Sequence, residues 1–195
     1  FGVNEHGEIR FGLSAIKGMG APAADAIVAE REKNGAYKDI FDFAQRVDFS
    51  NVNRKAFESL ALSGGFDSFG IPREDFFAKD SKGNVFLDTL VKYGQLYQRE
   101  QQEAVTSLFG GVEAVEIATP PIPKGEPWST IEKLNKEREL VGIYLSAHPL
   151  DDYSIVLHSM CNTHCTELGD KEALSKKAEI VFGGIVTALR STFTK

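Results

Sequence analysis

Leu13-Ser14-Ala15-Ile16-Lys17-Gly18-Met19-Gly20-Ala21-Pro22-Ala23-Ala24-Asp25-Ala26-Ile27-Val28 decides how this chain is read. It holds a short apolar turn, a Gly-Met-Gly bend and the start of an amphipathic helix. Gly18 and Gly20 permit backbone angles that a β-carbon penalises, so the bend can be very tight. Met19 between them can pack inward. The N–H groups of Gly18, Gly20 and Ala21 lack helical acceptors and are free to point outward. The helix that begins near Pro22 adds the positive end of its dipole. Together these donors make a site for a phosphate oxygen, with Lys17 as a screened positive charge beside it. The plainer alternative is a Gly-rich turn between two packed helices. Against it, Ile16, Met19, Ala24, Ile27 and Val28 all fall where the binding motif needs apolar groups.

This is the pattern of a helix-hairpin-helix, which grips the phosphate backbone of DNA and positions a duplex without reading its sequence. Working outward, Phe1–Val3 and Ile9–Phe11 flank a turn and predict a small β-hairpin. The helix from about Pro22 stops at Asn34-Gly35. Asp39 opens a second helix with Ile40, Phe43, Ala44 and Val47 on one face. Asn53 caps a third, with Ala56, Phe57, Leu60 and Ala61 inward. It runs into Ser63-Gly64-Gly65-Phe66-Asp67-Ser68-Phe69-Gly70, a degenerate echo of the first bend; a plain loop is the equal alternative there.

A long helix is predicted from Val85 to about Ser107, weakened at Gly94 by up to ~1 kcal/mol relative to Ala. Residues 110–127, with four prolines, read as a linker. Ser129-Thr130-Ile131-Glu132 is a capping box for a further helix that stops before His148-Pro149. Trp128, beside Pro127, staples that helix to its neighbours in preference to stacking on a base. Ala178–Arg190 reads as a strand.

Composition limits the classes. The chain has 195 residues, 42% of them hydrophobic, which supports a real core. Its net charge is −6, and neither the first 80 residues nor the rest carries an excess of Lys and Arg. That argues against a strongly electrostatic DNA binder and suits a weak, amide-based grip. No run approaches ~18 apolar residues, so no membrane span is expected. The first residues are not a signal peptide and include no initiator Met, so the chain reads as a piece of something longer. Cys161 and Cys165 make no disulfide framework, and an intracellular, cytoplasmic protein is expected.

These residues, in this order, resemble the α subunit of bacterial DNA polymerase III over nearly the whole chain. The landmarks are Ile9–Gly20, Phe41-Asp42-Phe43, Val52-Asn53-Arg54-Lys55, Gly64–Gly70 and, most specific of all, Glu137–Leu150. The resemblance implies a mainly α fold with short β segments at both ends. Residues 1–12 would belong to the preceding fingers and 13–78 to a tandem helix-hairpin-helix domain that holds duplex DNA. Residues 79–112 would carry a helix and a sliding-clamp-binding segment, 113–177 a Pro-rich linker and helical region, and 178–195 the first strand or strands of an oligonucleotide-binding barrel. It implies phosphate contacts from Gly18, Gly20 and Ala21 with Lys17 close by, and from Gly64, Gly65 and Arg73 in the second hairpin. The clamp segment usually runs Gln, two variable residues, Leu or Met, then Phe. Here Val105-Thr106-Ser107-Leu108-Phe109 takes its place: Leu108 and Phe109 would be the anchors, and Val105 departs from the Gln. Implied partners are duplex DNA, the sliding clamp and other holoenzyme subunits, with no membrane.

Polymerases hold metal ions on carboxylates, and no convincing set stands here. The family's catalytic aspartates lie upstream, so this chain should be inactive alone although its parent uses Mg²⁺. No cofactor is expected within it, beyond a monovalent cation that the first hairpin could hold. Asp151-Asp152 reads as a solvated loop. His158, Cys161, His164 and Cys165 are zinc-ligand types, but their cramped spacing fits no two-knuckle pattern and a turn is the simpler account. Two other functions compete. A protein-interaction scaffold would use both hairpins for packing. A repair glycosylase would need a catalytic carboxylate, and Asp39 and Asp42 suit helix starts better.

Overall fold

The capping residues set the helix starts. In a computed structural model, which describes residues 2–106, 117–186 and 188–192 and only the backbone of 104–106, Asp39 accepts from the amides of Phe41 and Asp42 and opens helix α2, Ile40–Arg46. Asn53 accepts from Ala56 N and opens α3, Arg54–Ser63; Ser129 accepts from Glu132 N and opens α5, Thr130–Val141. Each cap satisfies amides that have no helical acceptor. Helix α1, Ala21–Asn34, starts on Gly20 with no side-chain cap, and α4 runs Phe86–Thr106. Strands β1, Gly2–Val3, and β2, Ile9–Arg10, form the expected antiparallel hairpin, with Gly2 opposite Arg10 and Val3 opposite Ile9.

The chain divides into two compact units, 1–145 and 146–195. The first is built on α2 against α4 and on α3 against α5. Its core is a run of aromatic rings: Phe43 meets Phe57 and Phe66 at 5.3 and 5.0 Å, Phe66 meets Phe76 at 5.4 Å, and Phe76 meets Phe86 at 6.0 Å. These rings are all buried, and each contributes about 1.5–3 kcal/mol of transfer free energy. Gln98 of α4 donates to the carbonyls of Gln45 and Val47 at 2.9 and 2.6 Å and so caps the end of α2 from outside.

Arg46 joins α2 to the end of α1. It pairs with Glu30 and with Asp42, both at 2.9 Å, donates to Gly35 O at 2.8 Å, and lies over the Tyr37 ring at 4.5 Å. Partial burial works to raise the Glu30 pKa, but hydrogen bonds from Asn34 and Arg46 outweigh it and hold that pKa below the ordinary value. A carboxyl with a depressed folded-state pKa contributes stability above its unfolded pKa and loses that contribution as the pH falls through the folded one. The stability gap between wild type and Glu30→Gln, measured by urea titration, should therefore be widest near neutrality and close below about pH 4.

One sequence expectation holds here and two are corrected. Helix α5 ends at Val141, before His148-Pro149 as expected, because Gly142 takes φ +90° and its N–H bonds back to Arg138 O. The Pro-rich stretch and α5 belong with the hairpin unit. Gly125 N donates to Asp75 Oδ1 at 2.8 Å, and Trp128 stacks on Phe77 at 5.5 Å with the Lys136 ammonium over its ring at 4.5 Å. Trp128 is thus the staple expected. Finally, the described residues of 178–192 form no strand. Val181 O accepts from Asn162 N and Thr163 N at 3.0 and 3.2 Å, and Val181 N donates to Asn162 Oδ1 at 3.0 Å. Two adjacent loop residues, Asn162 and Thr163, therefore supply the partners that a second strand would give, too few for a ladder. The second unit also holds α6, Ser154–Met160, and α7, Lys171–Ser175.

Candidate nucleic-acid interface

The first bend is held from two sides. Ser59 of α3 donates its hydroxyl to Lys17 O at 3.0 Å, and Lys17 N donates to Leu140 O, at the end of α5, at 2.8 Å. Ile16 and Met19 are buried beneath it. Gly18 sits at φ +88°, where a β-carbon would be strained and would lie 2.6 Å from Ser59 Oγ. Met19 N turns back to Ile16 O at 2.9 Å, and Gly20 O accepts from Ala23 N and Ala24 N, both at 3.1 Å. Among the described residues, the N–H groups of Gly18, Gly20 and Ala21 donate to no protein acceptor. All three residues are exposed, as is Lys17. Three unpaired donors thus gather on one surface turn at the positive end of a 14-residue helix.

The second bend is different. Gly64, at φ +85°, is the left-handed cap of α3, and its N–H goes to Leu60 O. Gly65 N goes to the same carbonyl at 2.8 Å. Both amides expected at phosphate are therefore committed inside the chain. No α-helix follows: the chain continues in short 3-10 turns at Asp67–Phe69 and Arg73–Phe77, so the dipole and the free first-turn amides are missing as well.

Arg73 is likewise corrected. It is buried, and its guanidinium donates to Asp67 at 2.6 and 2.9 Å and to Glu137 at 3.1 Å. Hydrogen bonding to Asp67, and then to Glu137, raises its pKa above the ordinary value against the effect of burial. Its neighbours are used in the same way. Glu74 Oε2 lies 3.3 Å from Lys133 Nζ without an aligned hydrogen bond, and Asp75 receives Gly125 N. Three consecutive charged residues thus fasten α5 and the segment before it to the core.

Of the remaining candidates, Val105 has only its backbone described, and Leu108 and Phe109 lie outside the described residues. His158 Nδ1 is 2.7 Å from Ser154 O, and with Cys161, His164 and Cys165 it lines a cavity of about 250 Å³. Among the described residues no three His, Cys, Asp or Glu side chains are placed to hold a metal ion. None of the described helices is long and apolar enough to cross a membrane.

The helix-hairpin-helix motif family matches residues 1–76, which contain both bends. Over 199 residues the whole chain is 35% identical to the DNA polymerase III subunit alpha of Pasteurella multocida, and over 200 residues 35% identical to that of Haemophilus influenzae. Over 188 residues, 96% of the chain, it is 32% identical to that of Campylobacter jejuni. The chain belongs to the DNA polymerase III subunit alpha family. It spans 16% of the length of the Pasteurella and Haemophilus subunits and 15% of the Campylobacter one. Within this family segment the string Glu137–Leu150 has a structural reason to exist. Glu137 takes the Arg73 ion pair and accepts Leu145 N at 2.6 Å, and Leu140 O holds the hairpin.

Proposed function

We propose that this part of a DNA polymerase III α subunit holds duplex DNA by its phosphate backbone through the first hairpin, without sequence preference. The observation that carries it is the trio of exposed, unpaired amides at Gly18, Gly20 and Ala21. Hydrogen bonds to a charged phosphate contribute about 1.5–3 kcal/mol each, so three can supply a useful grip on an acidic domain. Gly64, Gly65 and Arg73 contribute to the fold, leaving a one-sided contact by Lys17, Gly18, Gly20 and Ala21. In the parent protein, this grip would serve DNA-directed DNA synthesis in the cytoplasm, with Leu108 and Phe109 tethering the chain to the sliding clamp and the rest of the holoenzyme assembling around it.

Ala21→Pro isolates one donor. Position 21 is the first residue of α1, and Gly20 before it is already extended at ψ 154°, so proline fits the backbone and puts a ring Cδ in place of the N–H. Titrated against a labelled primer–template duplex at low salt, it should bind about ten- to a hundredfold more weakly than wild type with an unchanged melting temperature. Equal affinity for the two proteins would sink the amide grip. No duplex binding by wild type, with clamp binding retained, would favour the scaffold.

A further inference from the structure

We propose that Lys55, on α3, is a phosphate-binding residue of the first hairpin, added to it from a distant part of the chain. Its Cε and Cγ atoms lie 3.4 and 3.5 Å from the point where a β-carbon on Gly18 would stand. The lysine stem therefore runs across the outer face of the bend, over the one residue there that has no side chain. Its Nζ is one bond further on, within about 5 Å of that point. Glycine at 18 serves two ends: it takes the left-handed φ, and it leaves room for Ser59 and Lys55 to close over the turn.

The charge is available. The Lys55 side chain is 63% exposed, and the ion pair it makes, with Glu58 Oε2, is at 3.8 Å, beyond hydrogen-bond reach. The same oxygen is held by Arg54 at 2.9 Å, and Arg54 is held in turn by Asp88 at 2.5 Å. Neighbouring Arg54 is thus committed to carboxylates, whereas the Lys55 ammonium keeps its donors for a ligand. An ammonium beside three free amides is suited to a phosphodiester oxygen: the amides fix the anion by direction, and the lysine adds a flexible point charge. Its contribution comes chiefly from releasing counterions condensed on the duplex. That predicts a specific signature, a decrease of about 0.9 in the slope of log K against log salt when it is removed.

Lys55 has this role only if the hairpin holds duplex DNA as proposed above, so the test separates the two. The 195-residue chain is titrated against one labelled duplex over a salt series as wild type, Ala21→Pro, Lys55→Gln and Lys55→Arg. Lys55→Gln should bind about five- to tenfold more weakly near 50 mM salt, with the shallower slope, and converge on wild type at high salt. Lys55→Arg should restore both affinity and slope. Lys55 is exposed, so thermal melts should be unchanged, which excludes a folding defect. If Ala21→Pro weakens binding while Lys55→Gln keeps the wild-type affinity and slope, the lysine is overturned and the hairpin stands. If wild type shows no salt-dependent binding, both are overturned.

Discussion

Arg73→Met should lower the unfolding free energy by about 3–5 kcal/mol, the range for breaking a buried ion pair from one side. Two carboxylates touch this guanidinium, and they are not equivalent. Asp67 is half exposed, whereas the Glu137 side chain is 1% exposed. Water screens the first pair and leaves it worth under ~1 kcal/mol. The loss therefore arises chiefly at Glu137, which is buried and loses the Arg73 guanidinium. Asp67→Asn should be mild, and Arg73→Met/Glu137→Met should recover much of the stability, because the methionines remove the desolvation cost along with the attraction. Trp128, the single tryptophan, stacks on Phe77 in the same unit and reports unfolding by fluorescence in urea. If Arg73→Met costs no more than Asp67→Asn, Glu137 is not the partner that matters.

The ion pair also bears on function. It holds α5, and Leu140 O at the end of α5 receives Lys17 N. Duplex affinity should thus fall with Arg73→Met although Arg73 is buried and paired inside the fold. That differs from the role the sequence suggests, a cation placed at phosphate after the second Gly-rich bend. The local pattern there, glycines followed by an arginine, is the same whether the arginine faces solvent or a carboxylate 64 residues away. Likewise, Gly64 and Gly65 look like the first bend in sequence. Whether their amides are free depends on Leu60 O, which a left-handed helix cap captures and an α-helix start does not.

What was legible was local. Asp39, Asn53 and Ser129 mark helix starts because a cap acts on amides two or three residues away. The inward positions of Met19 and Ile16 follow from spacing alone. Lys55 is not legible in the sequence because its neighbour, Gly18, stands on another element, and only the missing β-carbon at Gly18 hints that something passes close by. The described residues of 178–190 form no strand for a related reason: β-branched composition gives a propensity, but a strand exists only with a ladder partner. Gly142 is a readable signal of the same local kind, a glycine after Glu139-Leu140-Val141 in the position of a helix stop.

Gly94→Ala should destabilise the fold by about 3 kcal/mol, although helix propensity alone predicts a gain of about 1 kcal/mol for the same change. Gly94 lies within α4, where it looks like a weak point. Yet a β-carbon there would collide with the carbonyl oxygen of Ala44, and would lie 2.9 Å from its carbonyl carbon and 2.7 Å from Phe49 Cζ. Two of these three atoms are backbone, so no rotamer change relieves the contact; α2 and α4 must separate. Ala44, fully buried, is the matching small residue on α2. Separation would also pull Gln98 from the carbonyls of Gln45 and Val47 and Tyr93 from Gln45, which adds to the overpacking cost. In a chain of this size the loss corresponds to a fall in melting temperature of about 6–12 °C. A rise would mean that the helices are not in close contact at Gly94. Because α2 lies between the two bends in sequence and in the core, its seat on α4 is part of what holds the first hairpin's outward amides in place.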